Sequence, residues 1–370
     1  MKLYITGVRG FLGSHLRVRL LALGHSYLSP PDRSWLLDPA AIVPQLSEVD
    51  AVIHIAGVNR GSDSEILSGN QGSAQALSEA LRLSGRDVPI VFSNSIQCAS
   101  GSAYGEGKLR AAEILSRAAD SLGAVFSDLR FPNLFGEGGK PFYNSVVATF
   151  CHEISRGRSP VIIEDRELVL LHAQQAAQLM IDAIESPDAT TEPASRGTVL
   201  TVSALGERIA DIAQSYGAAR IPGLPDTFTI ELFNTYKSYL FPQEYPMLLR
   251  PHADRRGVFY EAVQAGSGSS QTSFSTTEPL VTRGNHFHLS KVERFLVVEG
   301  SAVIRTRHVL GDRVYEFAVD GDKPVVVDMP TFHAHSITNV GNGKLLTLFW
   351  SNEVFDPGQP DTYACDVITQ

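Results

Sequence analysis

A chain of 370 residues is longer than one ordinary hydrophobic core, so two domains are expected. Its 43% hydrophobic and 19% charged residues are those of a globular protein, and a formal net charge of −9 speaks against a nucleic-acid or membrane-surface binder. The three cysteines, Cys98, Cys151 and Cys365, form neither a disulfide framework nor a Cys-x-x-Cys clip, no apolar run is long enough to span a bilayer, and residues 1–7 read as a strand rather than a leader, so the expected location is cytoplasmic.

The apolar run Leu3-Tyr4-Ile5 enters Thr6-Gly7-Val8-Arg9-Gly10-Phe11-Leu12-Gly13 and then an apolar helical pattern through Leu16, Leu20 and Leu23. Strand, glycine turn and helix in this order put Gly7, Gly10 and Gly13 where a pyrophosphate lies. Glycines let the backbone come close, and the helix N-terminus offers N–H groups and a positive dipole. The next strand, over 25–28, should end near an adenosine ribose. No acidic residue follows it at once. Arg33 comes a little later and suits a 2′-phosphate, which favours NADP(H); an ordinary loop cation is the other reading. Residues 51–57 form a buried parallel strand that ends in Ala56-Gly57 and continues through Val58 and Asn59. Asn70 is expected to open a helix over 71–83. A strand over 88–92 leads to Ser93-Asn94-Ser95, and Tyr104 and Lys108 follow nine and thirteen residues after Ser95.

Residues four apart on a helix share a face. The Lys108 ammonium beside the Tyr104 phenol is expected to lower its pKa. Tyr104 can then pass a proton to a carbonyl oxygen held by Ser95 while a nicotinamide delivers hydride. This order of glycines, serine, tyrosine and lysine resembles the extended short-chain dehydrogenase/reductases, whose fold is an α/β Rossmann-type doubly wound parallel sheet. The resemblance implies Gly7, Gly10, Gly13, Arg33, Ala56, Asn59, Tyr104 and Lys108 at the cofactor, with Lys108 on the nicotinamide ribose, and Ser95, Tyr104 and Lys108 in catalysis. The gap between Ser95 and Tyr104 is short, and the sequence offers no reason for it.

A strand over 124–130 leads into Pro132-Asn133-Leu134-Phe135-Gly136, similar to the Arg-x-x-Asn-x-x-Gly loop of sugar-nucleotide members of that group. Asn133, Asn144 and Arg166 are candidates for sugar and diphosphate contacts, although solvent-facing groups would look the same. His172 opens a helix where the group usually carries Val-Asp-Asp, which leaves the polar partner at that point open.

Composition changes near residue 246, and short β-type runs with turn residues replace helical periodicity. The expected domains are therefore 1–245 and 246–370, the second an all-β jelly roll. Within it, His286-Phe287-His288 puts two imidazoles on one face of a strand, and Glu293 follows five residues later. A third imidazole comes from His335, with His333 the competing choice. Three nitrogens and a carboxylate suit Zn2+ or another first-row divalent ion, catalytic or structural. The Pro-x-Gly turn usual before the second histidine is Pro330-Thr331-Phe332 here. His308 is the candidate base for a proton beside a ketone, and Arg305 and Arg307 alternate with Thr306 so that both could reach a diphosphate. The pattern resembles a metal-binding cupin.

The pairing of the two halves resembles the CapF-type bifunctional enzymes of the UDP-N-acetyl-L-fucosamine pathway in capsule and O-antigen synthesis. The likeness runs through residues 54–60, 95–97, 104–109, 132–136, 143–146, 284–288, 295–298 and 355–363. The last is a surface-type stretch that no general fold requirement dictates. The resemblance implies a homodimer with zinc in the cupin. It implies that the cupin epimerises C3 of a UDP-4-keto-6-deoxy-hexosamine and that the reductase then reduces the C4 ketone with NADPH. The other reading keeps the reductase and makes the cupin a non-catalytic binding or dimerisation module.

Overall fold

The computed structural model describes residues 1–186, 192–217, 221–248, 251–254, 257–260, 270–353 and 358–368. The chain separates into two compact units, residues 1–135 with 167–200, and residues 136–166 with 201–370.

The first unit is a parallel sheet in the order Ser26–Leu28, Lys2–Thr6, Ala51–His54, Ile90–Ser95, Phe126–Phe131. Its central strands are apolar on both faces because both are covered. Leu3, Ile5 and Ile53 pack under the helices Phe11–Ala22 and Ala173–Glu185. Tyr4, Val52 and Ile90 pack on the other side, against the helices Asp63–Ser84 and Ala103–Leu122. The strand order reverses between Lys2–Thr6 and Ala51–His54, which opens a crevice at their carboxyl ends. A three-stranded sheet of Asn133–Phe135, Glu167–His172 and Thr198–Thr201 continues the chain.

The second unit contains two five-stranded sheets. One runs Gln271–Thr277, Leu345–Ser351, Glu293–Glu299, Val325–Met329, Met247–Leu248; the other runs Val314–Asp320, Ser301–His308, His333–Asn339, Thr282–Phe287, Tyr363–Ala364. Phe295 and Val297 of the first meet Ala302, Ile304, Val319 and Ile337 of the second in a common core. These are antiparallel sheets packed face to face, as the jelly-roll expectation requires.

The position 245/246, where composition changes, falls inside this unit rather than at its edge. The helices Val202–Gly217 and Thr227–Ser238 pack with the strands, and the reason is a buried polar cluster. Arg294 grips Asp328 at 2.7 and 3.0 Å. Tyr216 donates to the same carboxylate, and Tyr245 lies 2.7 Å from the Tyr216 hydroxyl. Asn234 donates to the Ser290 carbonyl at 2.7 Å. Breaking one partner of such a pair leaves an uncompensated buried charge, so the helices are tied to the strands.

Candidate active sites

The glycine turn is tight where the sheet order reverses. Gly7 has φ +80°, and a Cβ there would stand 2.7 Å from the Ala56 nitrogen. A Cβ on Gly13 would stand 2.3 Å from the Gly7 carbonyl oxygen. Gly10 donates to that carbonyl at 3.0 Å and sits at the N-cap of Phe11–Ala22. The turn therefore offers bare backbone and a helix N-terminus to a diphosphate. Arg33 is exposed beside the 3-10 turn Ser34–Leu36. Arg9, inside the glycine turn, donates to the Pro31 carbonyl at 2.8 Å and so reaches the same loop. Sequence reasoning passed over Arg9 as a filler between glycines; a cation at that position was the available signal.

Ala56 is half-buried and Asn59 exposed in the loop after Ala51–His54. That loop is held by Asn70, which does not open a helix. The helix begins at Asp63, with Ser62 and Glu65 in a reciprocal capping box, and Asn70 lies within it. Its amide donates to the Val58 carbonyl at 2.6 Å and to the Ile66 carbonyl at 2.8 Å, and its oxygen accepts from the Val58 N–H at 3.3 Å.

Ser95 ends its strand, and Tyr104 and Lys108 lie one turn apart at the start of Ala103–Leu122, which Ser102 caps. The Ser95 side chain lies beside the Tyr104 phenol. The short gap between them is filled by the 3-10 turn Ile96–Ala99. Gly105 rests on that turn so closely that a Cβ would meet the Gln97 carbonyl oxygen at 2.2 Å. Gly107 faces Asn70, where a Cβ would stand 3.2 Å from that side chain. The two glycines between Tyr104 and Lys108 are thus close-approach positions. The expected lowering of the Tyr104 pKa is not what this structure holds: burial pushes the phenol up, and the neighbouring Ser95 offsets part of the rise. Lys108 is buried, donates to the Ser93 carbonyl, and stands 4.5 Å over the Phe92 ring. Burial, opposed by the charge of Asp128, brings its own pKa down to about 8. The ammonium is engaged by the strand beneath the helix.

Asn133 donates to the Val169 carbonyl at 3.2 Å within the first unit. Asn144, exposed at φ +56°, and Arg166, also exposed, belong to the second. His172 caps Ala173–Glu185, and Gln174 bonds the His15 carbonyl at 2.9 Å, so this polar position anchors two helices to each other.

In the second unit the ligating atoms of His286, His288, Glu293 and His335 all lie within 4.8 Å of one another. His335, not His333, completes the group. Glu293 Oε2 is 3.0 Å from His288 Nε2 and 3.4 Å from His335 Nε2, so the three buried atoms face one another and reach no other polar group. The other nitrogens of these two rings are turned to carbonyls: His288 Nδ1 to Asp361 at 2.6 Å and His335 Nδ1 to His333 at 3.2 Å. A proton held there leaves each Nε2 lone pair pointing inward, the arrangement that orients histidine on a metal. Burial and the neighbouring imidazoles lower His286 to about 4, the neutral form a ligand needs. Converging ligand atoms that face only one another fit a divalent cation, and three imidazoles with one carboxylate fit zinc.

Local backbone geometry makes the group. A register shift between Gly284 and His286 is carried by Gly284 at φ +102° and Asn285 at φ +59°. A Cβ on Gly284 would meet the His335 carbonyl oxygen at 2.7 Å. The lost turn glycine is replaced by Phe332 itself at φ +62°, buried, with its N–H on the His288 carbonyl at 3.0 Å. The stretch near the C-terminus is not mere surface. Phe355, Asp356 and Pro357 lie outside the described residues, but Asp361 accepts the N–H groups of Leu289, Ser290 and Lys291 at 2.8–3.0 Å and offers its carbonyl to His288. Sequence reasoning missed Asp361 because its partners lie about seventy residues away.

His308 pairs with His333 across neighbouring strands, one interior pair beyond Thr306 and His335. Their rings are 5.0 Å apart. Leu310 N–H donates to His308 Nδ1 at 3.1 Å, so a neutral His308 carries its proton on Nε2. His333 Nδ1 faces the Thr331 carbonyl at 2.9 Å, so its proton is on Nδ1 and its Nε2 is an acceptor. The two imidazoles have opposite polarity. Arg305 and Arg307 are on the other face of the strand. Arg305 pairs with Glu316, and Arg307 is held by the carbonyls of Gly311, Asp366 and Val367. The two guanidinium groups that could reach a diphosphate are thus held by groups of the protein on the face opposite Thr306.

Fold and sites together define an extended short-chain reductase joined to a cupin whose ligand set fits a divalent metal. Residues 3–195 match the NAD dependent epimerase/dehydratase family, and residues 252–363 match the polysaccharide biosynthesis C-terminal domain. The chain is 34% identical to the UDP-2-acetamido-2,6-beta-L-arabino-hexul-4-ose reductase of Pseudomonas aeruginosa, over 99% of both chains. It is also 34% identical to the capsular polysaccharide assembling protein CapF of Staphylococcus aureus, with TM-score 0.64 over 99% of this chain and 100% of that one. UDP-glucose 4-epimerase of Thermotoga maritima shares the fold at 20% identity and TM-score 0.51, over 58% of this chain and 83% of that one. The chain belongs to the CapF-type family of bifunctional capsular polysaccharide synthesis enzymes. It is a reductase-type enzyme of nucleotide-sugar metabolism, with a nicotinamide cofactor. Among the described residues no helix is long and apolar enough to cross a membrane.

Proposed function

We propose that the cupin half epimerises C3 of UDP-2-acetamido-2,6-dideoxy-hexos-4-ulose and that the reductase half reduces the C4 ketone with NADPH. The product is UDP-2-acetamido-2,6-dideoxy-L-talose, a precursor of UDP-N-acetyl-L-fucosamine, and the working form is a cytoplasmic homodimer. The observation that carries the reading is the four-ligand group of His286, His288, Glu293 and His335, one interior residue pair away from two imidazoles of opposite polarity. The sugar is taken from the name of the Pseudomonas relative.

The chemistry is coherent with these residues. A C4 ketone acidifies the C3 proton, and the same ketone is the later hydride acceptor. A zinc ion held by the four ligands would polarise the ketone and stabilise the enediolate. His308, the expected base, carries its proton on Nε2 and would deliver it, whereas His333 presents a bare Nε2 to accept one, the two functions an inversion needs. In the reductase half Ser95 lies beside the Tyr104 phenol, and the two would share one carbonyl oxygen. Tyr104 gives that oxygen its proton as hydride arrives, and Lys108 holds the nicotinamide ribose. Gly7, Gly10 and Gly13 accept the pyrophosphate, and Arg33 and Arg9 meet the 2′-phosphate that separates NADPH from NADH. Asn133, Asn144 and Arg166 contact the sugar diphosphate.

The test uses the full-length protein with UDP-4-keto-6-deoxy-hexosamine and NADPH, in deuterated water, with and without a chelator. NADPH oxidation and deuterium at C3 are expected, with product stereochemistry read by NMR, and chelation should abolish the C3 label. Absence of C3 exchange in the metal-loaded protein leaves a 4-ketoreductase with a binding cupin and overturns the epimerase half.

A further inference from the structure

Thr306 carries a hydroxyl that the fold does not use. The residue is 0% exposed, and its Oγ1 has no hydrogen-bond partner. A buried hydroxyl without a partner is unfavourable, and valine has nearly the same shape without that defect. Ala302 and Ile304, on the same face of Ser301–His308, lie in the barrel core, so Thr306 points inward as well. Its register partners are His335 on one side and Tyr315 on the other, and His335 in turn pairs with His286. Side chains directly opposite across antiparallel strands stand about 5 Å apart at Cβ. Thr306 thus stands in one row with two members of the ligand group. Ser275 and Thr347 also lack partners, but they are register partners of each other. Thr306 faces a ligand instead.

We infer that Thr306 is a positioning residue of the cupin site. Its hydroxyl donates to the oxygen atom that completes the coordination of a metal held by His286, His288, Glu293 and His335. That oxygen is water in the resting protein and the C4 oxygen of the keto sugar during turnover. The second statement rests on the epimerase reading; the first does not. A metal-bound oxygen lacking this donor is held less firmly and in a different orientation, as with other outer partners of metal ligands.

The experiment compares Thr306→Val and Thr306→Ser with the wild type in the full-length protein loaded with Co2+. The visible absorption of the bound cobalt is expected to shift in Thr306→Val and to return in Thr306→Ser. Thr306→Val is expected to melt no lower than the wild type, because it removes an unmet polar group. Deuterium exchange at C3 is expected to fall about tenfold or more in Thr306→Val, the size of one charge-assisted hydrogen bond, and to recover in Thr306→Ser. A cobalt spectrum identical in Thr306→Val and wild type overturns the inference, whatever exchange does. So does a Thr306→Val protein that melts well below wild type or fails to bind cobalt, since the hydroxyl is then structural. If the spectrum shifts and Thr306→Ser restores it, but no form exchanges C3, Thr306 keeps its role and the epimerase reading falls.

Discussion

The two halves hold their reactive groups in opposite ways. In the reductase half the buried cation is already engaged: Lys108 donates to the Ser93 carbonyl and stands over the Phe92 ring, with Ser95 beside the Tyr104 phenol. In the cupin half His288 Nε2, Glu293 Oε2 and His335 Nε2 converge on one another and reach no other polar group. A satisfied site can wait for a cofactor that comes and goes. Imidazole and carboxylate groups packed together away from water fit an ion resident in the protein. The contrast also separates what positions each site. One helix and one strand end position the reductase groups, whereas the cupin ligands come from three strands and are braced from the C-terminal stretch by Asp361.

The sharpest way to break this contrast is Tyr104→Phe. Loss of the proton donor is expected to lower NADPH oxidation by about 10²–10⁴-fold, while C3 deuterium exchange continues at the wild-type rate. Equal loss of both activities would mean that the two sites are not chemically separate. A smaller effect is expected from Asp361→Ala. It removes the acceptor for three backbone N–H groups and loosens the carbonyl that fixes His288. Zinc affinity, measured by competition with a chromophoric chelator, should fall about 10–100-fold, with NADPH binding unchanged. Unaltered zinc affinity would show that the four ligands hold their geometry unaided.

What could be read from the sequence follows the same division. The glycine turn, the Tyr104–Lys108 pair and the His286-x-His288 pair with Glu293 were legible because their partners are local and set by helix or strand period. The features that escaped are long-range or depend on one close contact. Asp361 acts across the barrel, and the Tyr216–Asp328 bond ties helices to strands more than a hundred residues away. Hence the composition change near 246 marked where strands begin, not where a compact unit begins. Nothing local in the sequence marks Gly105, whose need for bare backbone comes from the Gln97 carbonyl packed against it. Some signals were present and outweighed. Ser62 and Glu65 spell a capping box, yet the helix was expected to start at Asn70. Alternation did place Arg305 and Arg307 on one face, but Ser301–His308 carries polar groups on both faces, so periodicity alone did not tell which was interior.

The satisfied character of the reductase site carries a measurable cost at Lys108, and this gives the smallest of the expected effects. Its ammonium is buried, and its pKa falls from 10.5 in the unfolded chain to about 8. Between these values the unfolded chain binds more protons than the folded one, so stability rises as pH increases from about 8 toward 10.5. Below pH 8 both states are protonated and the full penalty is present, at most about 3 kcal/mol at about 1.4 kcal/mol per tenfold. Lys108→Met is therefore expected to raise the melting temperature of the cofactor-free protein at pH 7 and to flatten its rise above pH 8, while lowering NADPH affinity. Calorimetry of both proteins from pH 7 to 10 checks this. A wild-type melting temperature that falls steadily over that range, with no difference in slope from Lys108→Met, would mean that the ammonium is compensated by the Ser93 carbonyl and the Phe92 ring. The reductase site would then be satisfied without strain, and the contrast with the cupin site would be sharper still.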